Sequence, residues 1–205
     1  MIIQNGYSSV ANRATVMIDV LLATAIFSEL LAALAVLASI LFPAHRIWPP
    51  DPPSPWKQFL MGSLFLYPAI GIGLLGILDR GSLGLPLWVR IGFGVPPLIA
   101  GLAWFYWALA VLGFDPMFGS EGALAVGGPF RFSRNPQYVG CMWMLIGWTV
   151  LASSAAAGIA SLFALLPLVL VPFAEEPWLR KRHGAEYEEY VRTVPRFIPL
   201  WGKRR

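Results

Sequence analysis

Two short polar motifs set in an otherwise apolar stretch hold the side chains best suited to chemistry. The first reads Gly128-Pro129-Phe130-Arg131-Phe132-Ser133-Arg134-Asn135-Pro136-Gln137-Tyr138-Val139-Gly140, and the second opens with Glu175-Glu176-Pro177-Trp178-Leu179. Pro136 disfavours helix at Asn135 and suits the first position of a following helix. A helix N-terminus with free amides and neighbouring arginines, here Arg131 and Arg134, attracts anions. An ordinary positive flank of a membrane segment accounts for the same pair. Glu175 and Glu176 repel each other and need a cation, either a ligand or a salt bridge to Arg131, Arg134 or Arg180. Brought together, the cationic and dianionic clusters could hold a zwitterionic cofactor.

The intervening chain decides whether they meet. Residues 139–174 contain no charge. With Ser153-Ser154 as a turn, each helical arm measures about 25 Å against a hydrocarbon core of about 30 Å. The chain goes out and comes back, so both motifs are expected at one membrane surface.

Composition places the whole chain in a bilayer: 57% of residues are hydrophobic, 13% are charged and mean hydropathy is +0.65. Further spanning-length stretches cover residues 17–42, 58–78 and 87–113. The reading is an all-α integral membrane protein with about five transmembrane helices, the last two a short hairpin, plus a cytoplasmic amphipathic C-terminal helix and tail. The first stretch is longer than a signal-peptide core and follows mostly polar residues, so it reads as a retained helix after a frayed or surface segment. Residues 1–205 form a single membrane-embedded domain, with 1–113 on the substrate side and 114–205 on the cofactor side.

Placing the C-terminus in the cytoplasm puts only Arg13, Arg80 and Arg90, of the 15 Lys and Arg residues, on the outer side. That asymmetry favours N-out and C-in, with both motifs cytoplasmic. The basic balance matches anionic lipid head groups and requires no nucleic acid. Cys141 is the only cysteine, and His45 and His183 lie far apart, so neither a disulfide nor a metal-ligand spacing is present.

Smaller features complete the reading. Glu29 sits near the middle of the first span, either protonated or hydrogen-bonded at a helix interface, or facing a substrate. The proline-rich residues 43–55 form a stiff cytoplasmic loop. Glycines in the second and third spans, including Gly71, Gly73, Gly92 and Gly94, suit close helix packing, not nucleotide loops. Residues 174–194 suggest an amphipathic or broken helix with Glu176–Arg180 and Glu188–Arg192 pairs, and 194–201 an extended tail.

Taken in order, Gly128-Pro129-Phe130-Arg131, Arg134-Asn135-Pro136-Gln137-Tyr138-Val139-Gly140, Glu175-Glu176, His183-Gly184-Ala185-Glu186-Tyr187 and Val194-Pro195-Arg196-Phe197-Ile198-Pro199 resemble the isoprenylcysteine carboxyl methyltransferase and phospholipid methyltransferase superfamily. The likeness spans residues 127–200. It implies a membrane enzyme that binds S-adenosylmethionine at the cytoplasmic side and methylates a lipid or other lipophilic acceptor. It carries the cofactor-binding role to Gly128, Pro129, Arg131, Arg134, Asn135, Pro136, Tyr138, Gly140, Glu175, Glu176 and Tyr187. Catalytic roles fall to Arg134, to Glu176 or a bound water as the base for an amine or thiol acceptor, and to Arg196 as an orienter of an anionic acceptor; a lipid phosphate contact is the other reading of Arg196. Asn135 stands where the prenylcysteine branch carries histidine, which together with Pro177 looks more like the phospholipid-methylating branch. An NADPH-dependent relative of the sterol reductases and a non-catalytic scaffold are the competing readings. A bacterial inner membrane is favoured over endoplasmic reticulum.

Overall fold

In the computed structural model, residues 2–117 and 122–197 are described. Five helices account for most of them: α1 (Ile2–Leu41), α2 (Pro55–Leu78), α3 (Leu87–Leu112), α4 (Pro136–Ala152) and α5 (Ala155–Thr193). Four stretches, Asn12–Leu41, Pro55–Leu78, Leu87–Leu112 and Ala155–Thr193, are long and apolar enough to cross a membrane. α4 has 17 residues, about 25 Å, so the hairpin is unequal and its first arm is the shortest of the five helices. Side chains such as Phe27, Leu34, Leu66, Ile77, Ile99 and Leu162 point outward, as a lipid-facing surface requires.

α5 is the hub. It packs against α1, α2 and α4, while α3 lies along α4. Ala156, Ala157, Ala160 and Ala164 give α5 a flat face on which Ile72 and Leu75 of α2 close. The α3–α4 contact rests on missing side chains: a Cβ on Gly140 would lie 2.9 Å from the Gly101 carbonyl oxygen. Small residues at such crossings let backbones approach closely.

The hairpin turn is fixed from α2. Ser153 adopts a left-handed conformation, φ 55°, and Ser154 caps α5 by accepting from the Ala157 amide at 3.0 Å. Asp79, just past α2, accepts from Ser154 Oγ at 2.7 Å and from the Ala156 amide at 2.9 Å. Burial alone would raise the Asp79 carboxyl, but these bonds and one from Ser82 outweigh it and hold it below the usual range.

Three expectations change. α1 begins at Ile2, so the first residues belong to the helix, not to a frayed segment. α5 runs through residue 174 without interruption, and the break comes at Gly184, φ 53° and ψ −124°. That turn also redirects the ion pairs: Arg180 Nε meets Glu188 at 2.9 Å and Arg192 meets Glu189 at 3.5 Å, so the Glu176–Arg180 and Glu188–Arg192 pairs do not form. Of the tail, residues 198–205 lie outside the described residues; Val194 is extended.

Candidate functional site

Pro136 opens α4 and sets the first motif at the helix N-terminus. Ahead of it, Gly128 has φ 53°, and a Cβ there would lie 2.8 Å from Val111 Cγ2 and 3.1 Å from Trp107 Nε1. Only glycine meets both demands. The helical turn Gly128–Arg131 that follows buries Pro129 and Phe130, and the Tyr190 hydroxyl donates to the Phe130 carbonyl at 2.7 Å.

The two motifs converge on Glu176. Arg134 Nη1 lies 3.3 Å from its Oε1. Arg196 grips the same carboxylate with both arms, Nε to Oε1 at 2.6 Å and an Nη to Oε2 at 2.7 Å. Bonding to Glu176 raises the Arg196 pKa above its ordinary value. Its guanidinium also stands 3.9 Å from the Phe173 ring.

Backbone bonds hold the tail in place. The Arg134 amide donates to the Pro195 carbonyl at 2.9 Å. Asn135 Nδ2 and Ser133 Oγ donate to the Arg196 carbonyl at 2.9 and 3.2 Å. Asn135 therefore positions Arg196.

Glu175 points elsewhere, because successive helical residues diverge by about 100°. It accepts from Tyr138 Oη at 2.7 Å and from Trp48 Nε1 at 2.8 Å. The adjacent glutamates thus serve two sub-sites, not one dianionic cluster. Arg131 is exposed, apart from both, and Gly140 faces α3.

Beside Glu175 lies a cavity of ≈ 90 Å³ bordered by Arg134, Asn135, Tyr138, Glu175 and Tyr187, with Leu124 and Ala125 also in its lining. Three further polar atoms on its wall are buried without a partner: Arg134 Nε, Trp178 Nε1 and Gln137 Oε1. Two are donors and one is an acceptor. Buried polar groups are normally paired, so this set fits a ligand offering both an acceptor and a donor. The sequence reading missed Trp48, Gln137 and Trp178. Trp178 lies inside the quoted motif, whereas no local pattern links Trp48 to Glu175.

Residues 89–186 match the phospholipid methyltransferase family model. The resemblance read from the motifs to this superfamily therefore holds. Methanethiol S-methyltransferase from Crocosphaera subtropica is 38% identical over 76 residues, covering 37% of this chain and 29% of that protein. Phosphatidylethanolamine N-methyltransferase from Emericella nidulans is 26% identical over 149 residues, covering 70% of this chain and 14% of that one. The chain thus matches less than a third of the length of either relative. No solved structure matches it significantly.

Proposed function

We propose that this chain is a membrane-embedded methyltransferase that moves a methyl group from S-adenosylmethionine to a lipophilic or membrane-associated acceptor carrying a carboxylate, amine or thiol. The observation that carries the reading is the unpartnered trio of Arg134 Nε, Trp178 Nε1 and Gln137 Oε1 around one cavity. Arg134 and Trp178 would hold the cofactor's carboxylate. Gln137 and Glu175 would hold its ammonium, and Tyr138 and Tyr187 offer aromatic faces to the purine. When bound, the cofactor supplies a sulfonium-activated methyl group.

The remaining work belongs to this chain's own residues. Glu176 pairs with both Arg134 and Arg196, leaving one net positive charge and fixing the cation that faces the cavity. Asn135 and Ser133 hold Arg196 against it. Positioning and exclusion of water are the catalytic resources of such a site. The cavity, ≈ 90 Å³, is where the polar end of such a cofactor would sit.

A second cavity, ≈ 340 Å³ and bordered by Trp104, Phe132, Ser133, Val139, Trp143 and Phe197, suits the apolar body of an acceptor. We assign the N-terminus to the outside and the C-terminus to the cytoplasm, in a bacterial inner membrane, with membrane lipid as partner. Of α1–α3, α3 borders that second cavity through Ala100 and Trp104, and the loop after α1 lends Trp48 to the donor side.

The test is binding of labelled S-adenosylmethionine to protein in lipid nanodiscs. Trp178→Phe should weaken binding about tenfold, one lost charge-assisted hydrogen bond of about 1.5 kcal/mol, while the packing lost with the smaller buried ring is read separately as the fall in thermal midpoint without cofactor. Unchanged affinity in both Trp178→Phe and Gln137→Leu would sink the assignment. Tight binding of NADPH in the same assay would favour the reductase reading.

A further inference from the structure

Glu29 of α1 lies in the apolar interior, 4% exposed, and its Oε2 has no hydrogen-bond partner. It opens into a cavity of ≈ 320 Å³ that all five helices line, among them Phe65, Leu98, Met144, Trp148 and Leu168. The Trp148 indole N–H is already spent on the Ile72 carbonyl at 3.0 Å. Leu168 precedes Glu175 by seven residues, about 10 Å along α5, so this cavity lies deeper in the bundle than the polar site.

An acyl chain could fill such a space but would leave the carboxyl oxygen unsatisfied, at a cost of about 1–3 kcal/mol. A carboxylate alone at this depth is costlier still. An amine removes both costs, since its N–H donates to Oε2 and its charge pairs with that of Glu29. At about 30 Å³ per water-sized group the cavity holds about ten non-hydrogen atoms.

We propose that this cavity is a binding site for a lipophilic primary amine, its alkyl body against Phe65, Leu98 and Leu168 and its nitrogen on Glu29. The site stands independently of the methyl-donor reading.

Decylamine, decanol and decane, offered separately to the nanodisc-embedded protein, test it by native mass spectrometry and by the shift in thermal midpoint that preferential binding produces. Decylamine is expected to bind one per chain and raise the midpoint, while decane does neither. Glu29→Gln should weaken decylamine at least tenfold. Gly73→Leu provides a variant with Glu29 intact: Gly73 borders the cavity, a Cβ there meets nothing within 4 Å, and the larger side chain should exclude the amine. Equal binding of decane and decylamine, equal binding of decanol and decylamine, or full decylamine affinity in both variants would overturn the proposal.

Discussion

Replacing Glu176 by glutamine removes the charge on which Arg134 and Arg196 converge, and the structure sets the size of the loss. The side chains of Glu176 and Arg134 are 4% and 10% exposed, so Arg134 is left as a nearly buried, uncompensated cation. Breaking such a pair costs about 3–5 kcal/mol. Arg196, 31% exposed, is partly screened by water and adds only about 0.2–1 kcal/mol. Glutamine still accepts one hydrogen bond, which offsets about 1 kcal/mol. A net loss of about 3 kcal/mol corresponds to a thermal midpoint lower by roughly 6–12 °C in a chain of this size. Arg196→Ala should do far less, about 1 kcal/mol, because Asn135, Ser133 and the Arg134 amide still hold the tail backbone. Thermal unfolding in one detergent, followed by intrinsic fluorescence, compares the two directly. A midpoint for Glu176→Gln within about 2 °C of the parent, or a larger loss for Arg196→Ala, would refute the assignment of Glu176 as the centre of the cluster.

Two further outcomes follow from the packing and from the far end of the hairpin. Because the folded Asp79 carboxyl titrates below its unfolded value of 3.8, its contribution is complete above that value and fades as pH falls through the folded one. Thermal midpoints should therefore drop on acidification below about pH 4, and Asp79→Asn, at a cost of about 1 kcal/mol at neutral pH, should flatten that drop; an unchanged acid profile would contradict the capping role. Gly140→Val should destabilise by about 1–3 kcal/mol, since even a Cβ would meet the Gly101 carbonyl and the Phe105 amide at 2.9 Å. Undiminished stability in that variant would show that α3 and α4 are free to separate.

Much of the fold was legible because the bilayer acts on sequence locally. The uncharged run over residues 139–174 and its Ser153-Ser154 turn foretold the hairpin, and Pro136 foretold the start of α4. Gly184 was harder to read. Three prolines, Pro167, Pro172 and Pro177, sit inside α5, yet the break comes at the glycine. A proline can be accommodated in a buried helix whose neighbours satisfy the freed backbone groups, and a positive φ cannot be hidden in that way. The i, i+4 ion pairs failed because their members are taken by other partners: Glu176 by Arg134 and Arg196, Arg180 by Glu188 across the turn at Gly184, and Arg192 by Glu189.

By itself the sequence determined an all-helical membrane fold and set both polar motifs at the same end of one hairpin, because apolar length and charge segregation fix where such a chain turns. It also carried the ordered motifs that mark the methyltransferase likeness. Only the tertiary structure decided how those groups are shared. It paired Glu176 with Arg134 and Arg196, gave Glu175 to Tyr138 and to Trp48 from a loop 127 residues away in the chain, and set Glu29 facing a cavity lined by all five helices. Such pairings depend on the rotation of each helix about its axis and on contacts between distant segments. Local spacing cannot encode them, whereas close packing through Gly101 and Gly140 fixes how α3 and α4 meet.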